Sequence, residues 1–97
     1  MRIYSRRTLK GFWDQHPDAE QPLRAWFAEA RNAQWKAASE IKALHRTASF
    51  VGNDRVVFNI GGNKYRLAVA LSYARGTVFV RFVGTHRDYD GIDVKRV

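Results

Sequence analysis

Between Arg55 and Tyr89 apolar and polar residues alternate with period two, interrupted by glycine-containing turns, and the alternation predicts three strands. In Arg55–Ile60 the apolar set is Val56, Phe58 and Ile60, which leaves Arg55, Val57 and Asn59 on the opposite face. In Lys64–Leu71 it is Tyr65, Leu67, Val69 and Leu71, opposite Lys64, Arg66, Ala68 and Ala70. In Thr77–Val83 it is Val78, Val80 and Phe82, opposite Thr77, Phe79, Arg81 and Val83. One face of the predicted meander can meet a core, and the other gathers cations among small and aromatic residues. Gly84-Thr85-His86-Arg87-Asp88-Tyr89 then leaves the last strand with an imidazole and a phenol.

The N-terminal half changes period. Arg2-Ile3-Tyr4 is short enough to add an edge strand, and Ser5 is a cap for a helix with Leu9, Phe12 and Trp13 on one side. That helix should stop before Pro17, because proline disfavours helical geometry in the residue it follows. Asp18 is a candidate cap for the next helix, with Gln21 as its capping-box partner. A start nearer Gln21 would instead put Pro22 at the first helical position. Leu23, Trp26, Phe27 and Ala30 form the apolar stripe of this second helix. Ser39–His45 reads as a further short helix with Ile41 and Leu44 inward, and Ala48–Val51 as a short strand before an Asn53-Asp54 turn. Two helices and an antiparallel meander bury their apolar surfaces most simply as an α+β fold, helices on one sheet face and a basic, exposed face opposite. No repeat, linker or low-complexity tract divides residues 1–97, so one domain is expected.

Composition narrows the partners. Seventeen Lys+Arg against nine Asp+Glu give a net charge of +8, which points to nucleic acid, an acidic protein or an anionic membrane surface. Residues 1–53 hold nine basic and five acidic residues, so half the excess lies outside the strand region. Arg2, Arg6, Arg7 and Lys10 are either further phosphate contacts or an ordinary solvated helix start. No cysteine is present, which removes disulfides and thiolate metal sites, and no histidine pair has metal-ligand spacing. No apolar run approaches the ~20 residues that span a bilayer. The first residues also lack the apolar core of a secretory signal, so the cytosol is the expected compartment.

Arg55, Lys64, Arg66 and Arg81 fall on one predicted face, where like charges on neighbouring strands destabilise each other unless a ligand or partner offsets them. Arg66 and Arg81 at mid-strand suit bidentate grip of phosphate oxygens, with pairing to Asp54, Asp88 or Asp90 as the plainer reading. Lys64, beside Gly61-Gly62-Asn63, is either a phosphate contact or the charged start of a strand. The glycine pair itself is hairpin chemistry, since no helix follows it to cradle a phosphate. His86 and Tyr89 are either packing residues or acid/base groups, and Tyr89 could also stack on a base.

Arg81-Phe-Val-Gly-Thr-His86-Arg-Asp-Tyr89, preceded by Gly62-Asn-Lys64-Tyr-Arg66-Leu, resembles the C-terminal half of the HigB toxins, within the RelE-like superfamily of type II toxin–antitoxin systems. His16-Pro17-Asp18-Ala19-Glu20-Gln21-Pro22-Leu23 and Arg55–Ile60 resemble the same family, so the likeness runs over nearly the whole chain. The resemblance implies a RelE-like fold and an mRNA interferase, an endoribonuclease that cuts translated message in the ribosomal A site. Its implied partners are messenger RNA, the ribosome with its RNA, and a HigA-type helix-turn-helix antitoxin. No membrane or cofactor is implied. By position, Arg66 and Arg81 match the superfamily's phosphate-gripping arginines, and His86 and Tyr89 match the segment that supplies acid/base groups. Lys64, Arg55, Asn59 and Arg87 are the associated RNA-contact candidates. Thr85 is an extra residue where many relatives have Gly-His.

The residues suit a metal-independent reaction in which the RNA 2′-OH attacks the adjacent phosphorus and cations stabilise the phosphorane. Two other classes fit the charge alone: a non-catalytic RNA- or ribosome-binding module, and an interaction domain for an acidic protein.

Overall fold

A computed structural model describes residues 1–97. The chain runs β1 (Arg2–Tyr4), α1 (Arg6–Gln15), a 3-10 turn (Pro17–Ala19), α2 (Glu20–Asn32), α3 (Ala38–Leu44), β2 (Ser49–Val51), β3 (Arg55–Ile60), β4 (Tyr65–Ser72), β5 (Thr77–Thr85) and α4 (His86–Asp90). The strands form one sheet in the order β1-β5-β4-β3-β2. Neighbours from β2 to β5 are antiparallel, whereas β1 lies parallel to β5, so the sheet is mixed. The exception is β1 because the helices, not a tight turn, separate it from β5 and leave its direction free. Asn53 and Asp54, and Gly61 and Gly62, take positive φ at the two hairpin connections around β3.

One buried cluster joins the layers. Leu9 and Trp13 of α1, and Leu23, Trp26 and Ala30 of α2, share it with Val56, Phe58, Ile60, Leu67, Val69, Leu71 and Val78 of the sheet. Trp26 meets Phe58 edge-on at 5.4 Å between ring centres. The alternation in β3 and β4 therefore separates core from opposite face as expected.

Four local expectations are corrected. Asp18 caps no helix: α2 starts at Glu20 after a turn fixed by Pro17, with Pro22 inside its first turn, and Asp18 instead accepts a hydrogen bond from Tyr65 Oη at 2.6 Å and pairs with Lys64. Leu44 is 68% exposed, because α3 ends there and His45 turns inward onto Phe58. Phe82 does not face the core. Arg81 is skipped in the β4–β5 ladder, where Ala68 pairs with Phe82 and Val69 with Val80, so the bulge reverses the phase and Val83 takes the inward place. Finally, the second sheet face is not bare, for Val57, Ala68 and Ala70 are buried. The chain after β5 folds back over it: Arg55 Nη2 donates to Val97 O at 2.7 Å and Asn53 Nδ2 to Lys95 O at 3.0 Å.

Candidate active site

The face away from the N-terminal helices carries the site. Asn59 of β3 is opposite Arg66 of β4, which is opposite Gly84 of β5, so the three share one rung. Beyond Gly84 the chain turns into α4. Thr85 caps this helix: its Oγ1 accepts from Asp88 N at 3.1 Å, and Asp88 Oδ2 accepts from Thr85 N at 3.4 Å. This reciprocal box secures a five-residue helix too short to persist on propensity alone. Gly84 is required where α4 meets the sheet, since a Cβ there would lie 2.7 Å from Phe82 Cζ and 3.2 Å from Asp88 Cβ.

Arg66 is the centre. Its Nε donates to His86 Nδ1 at 3.3 Å, and its guanidinium carbon stands 4.8 Å from the centre of the Tyr89 ring. Tyr89 in turn packs against Phe82, 6.2 Å away. Because His86 Nδ1 accepts a hydrogen bond, the neutral ring carries its proton on Nε2, and that atom is buried without a partner in the chain. No carboxylate lies within ion-pair distance of Arg66 or Arg81; Asp88 is engaged in the Thr85 cap. The plainer reading, two arginines neutralised by neighbouring aspartates, does not describe this arrangement. It has uncompensated positive charge, a ring nitrogen aimed by an arginine and a phenol under the same cation, which together can hold an oxyanion and exchange protons beside it.

The other candidates fall at different places. Arg81 occupies the bulge on the same face, 5.3 Å over the Phe79 ring, further along β5 from Arg66, His86 and Tyr89. Asn59 donates to Thr47 O at 3.3 Å, and its buried Oδ1 is unpartnered. Arg87 is exposed on α4. Arg55 does not join the group, being half-buried against the carbonyls of Asn53 and Val97. Lys64 reaches instead to the helix layer. There the Asp18 carboxyl is held below its ordinary range by Lys64 and then Tyr65, while the same carboxylate raises the Lys64 ammonium and the Tyr65 phenol. His16 stacks on Phe12 and His45 lies 3.1 Å from Glu29, so neither histidine belongs to the site. Sequence reading overlooked Phe82 as a site-facing residue and the helix itself; the Thr85-x-x-Asp88 spacing is the signal that marks α4.

A small α+β protein with an uncompensated arginine between an imidazole and a phenol belongs with proteins that handle anionic substrates. Residues 19–92 match the model of HigB_toxin, the RelE-like toxic component of a toxin–antitoxin system, and the chain belongs to this family. It is 26% identical over 92 residues, 93% of this chain and 88% of the relative, to the mRNA interferase toxin HigB of Escherichia coli strain K12. The mRNA interferases HigB of Escherichia coli O157:H7 and Shigella flexneri are similar to the same extent. No helix is long and apolar enough to cross a membrane.

Proposed function

We propose that this toxin is an mRNA interferase, an endoribonuclease that cleaves translated message on the ribosome and so stops translation. The observation that carries the reading is Arg66, held between His86 and Tyr89 with no carboxylate to neutralise it. RNA supplies its own nucleophile. The 2′-oxygen loses its proton and bonds to the adjacent phosphorus, the bond from phosphorus to the 5′-oxygen breaks, and that oxygen takes up a proton. The products are a 2′,3′-cyclic phosphate and a 5′-hydroxyl.

In this reading the terminal amino groups of Arg66 grip the non-bridging oxygens, where charge grows in the phosphorane. His86 and Tyr89, both against Arg66, are the groups that take the 2′-oxygen's proton and return one to the leaving 5′-oxygen. Arg81 adds a guanidinium on the same face, and Asn59 and Arg87 flank the RNA. Lys64 and Arg55 contribute to the general positive field, since their head groups are engaged elsewhere. The chain works as one cytoplasmic domain, with a HigA-type helix-turn-helix antitoxin as its natural inhibitor.

A translation reaction followed by primer extension tests this with wild type beside Arg66→Ala, Arg81→Ala and Tyr89→Ala. Cleavage confined to translated messages, ending in cyclic phosphate and weakened at least a hundred-fold in Arg66→Ala, is expected for loss of a charge-stabilising group, worth roughly 10²–10³ in rate. A 3′-hydroxyl or 5′-phosphate product excludes the mechanism. Binding to RNA with steep salt dependence and no cutting would leave only a binding module.

A further inference from the structure

The edge of the sheet beyond the Arg66 group carries exposed aromatic surface that the reaction above does not use. Tyr4 of β1 and Phe79 of β5 are paired in register and stack at 5.2 Å with their planes 20° apart. Both remain open to solvent, at 46% and 38% exposure. The Arg81 guanidinium lies 5.3 Å over Phe79 and has no carboxylate partner. All three side chains are on the same face as Arg66: Phe79 is opposite Ala70, and Arg66 lies four positions back along β4, ~13 Å away at ~3.3 Å per residue.

A cross-strand aromatic pair can simply fasten an edge strand. Here β1 is already fastened by its ladder to Thr77, Val78 and Phe79 and by Ile3 against the core. Fastening also leaves unexplained why an unpaired guanidinium is kept beside exposed rings. Flat aromatic surface next to free cations is the chemistry that holds single-stranded nucleic acid: bases stack on the rings without regard to sequence, and cations meet the phosphates.

We infer that Tyr4 and Phe79 form a stacking shelf for a nucleobase of the RNA that flanks the cleaved bond, with Arg81 holding the adjoining phosphate. The inference rests on the RNA-cleaving reading of the Arg66 site. The ~13 Å between shelf and Arg66 matches a few nucleotides at ~3.4 Å per stacked base. The shelf fixes where along the strand the message is cut, because one base seated on it sets which phosphate reaches Arg66.

The test uses fluorescent single-stranded oligonucleotides carrying 2′-O-methyl groups, which bind but cannot be cut, presented both free and on programmed ribosomes. An abasic residue is walked through the sequence. In wild type one position is expected to show an affinity loss of roughly ten-fold or more on base removal. Phe79→Ala and Tyr4→Ala should bind more weakly and become indifferent to that abasic site, with Phe79→Trp restoring the dependence. Arg81→Ala should lower the slope of log affinity against log salt by about one. A shelf that only fastens β1 would lower the melting temperature of Phe79→Ala but leave the abasic penalty intact, and that result overturns the proposal. If wild type cuts translated message yet no position shows a penalty, the shelf alone falls. If it binds neither free nor ribosome-bound RNA, the shelf and the RNA reading fall together.

Discussion

Gly84→Ala probes the seat of α4 directly. The added methyl carbon would stand 2.7 Å from Phe82 Cζ, 3.2 Å from Asp88 Cβ and 3.3 Å from Asp88 Oδ2. Ordinary carbon contact needs ~3.5–4.0 Å, so the tip of the Phe82 ring must retreat by about 1 Å. That ring packs on Tyr89, and Asp88 closes the Thr85 cap, so relief in either direction disturbs the helix that carries His86 and Tyr89. Overpacking of this kind costs ~1–3 kcal/mol, partly offset by the ~0.4–1 kcal/mol gained when alanine replaces glycine in extended backbone. A net loss near 1 kcal/mol lowers the melting temperature of a domain this size by about 4–8 °C. Phe82→Leu removes the clashing ring tip. Thermal unfolding of the wild type, both single variants and the double variant should give a coupling of about 0.5 kcal/mol or more, the double being more stable than the sum predicts. Message cleavage should fall in Gly84→Ala and recover in part in the double. Equal stability of Gly84→Ala and wild type, or strict additivity, refutes the close packing of Phe82 under α4.

Thr85→Ala removes the cap and should cost about 1 kcal/mol, spent on fraying α4, so the Asp88 amide exchanges faster while the sheet amides do not; Thr85→Ser should restore protection. Arg66→Lys keeps the charge but loses the planar fork, the Nε donor to His86 and the stacking on Tyr89, so cleavage should drop nearly as far as in Arg66→Ala. The Asp18–Lys64–Tyr65 group makes stability depend on pH at both ends. The depressed Asp18 pKa gives stability that is present above the free carboxylate value near ~4 and lost as pH falls through the lower folded value. The raised Tyr65 and Lys64 pKa values give stability present below ~10 and lost as pH rises through the higher folded values. Asp18→Asn should flatten both limbs of a melting-temperature profile, and an unchanged profile would show that the group has no such role.

Much of the fold was legible because β3, β4 and the helices obey a single period each. Val56, Phe58 and Ile60, or Leu23, Trp26 and Ala30, need no knowledge of their neighbours to be placed inward. β5 was legible only as far as Val80, since a bulge is a relation between two strands and leaves no mark in the alternation of one. Asp18 was misread because a cap competes with any cation that the fold brings near, and Lys64 is forty-six residues away in sequence. α4 was missed because five residues give no helical period, although its capping residues were visible. In the site, Arg66, His86 and Tyr89 were brought together as their positions suggested. What the face assignment could not supply was the separation of Arg81 from them: Arg66 is opposite Gly84, and Arg81 lies beyond Phe82 as an extra residue in the ladder.

Arg81 is therefore both a charge and a count. Substituting it removes a guanidinium and leaves the strand's spacing untouched. Deleting it would join Val80 directly to Phe82 and regularise the ladder without turning either part of the strand over, because Val80 already pairs with Val69 and Phe82 with Ala68. Val80 and Val83 would still meet the core, and Phe82 and Gly84 would stay on the Arg66 face. The bulge thus holds Arg81 as an added residue on which neither neighbouring rung depends, and a deletion at Arg81 should weaken message cleavage about as far as Arg81→Ala does through loss of the charge.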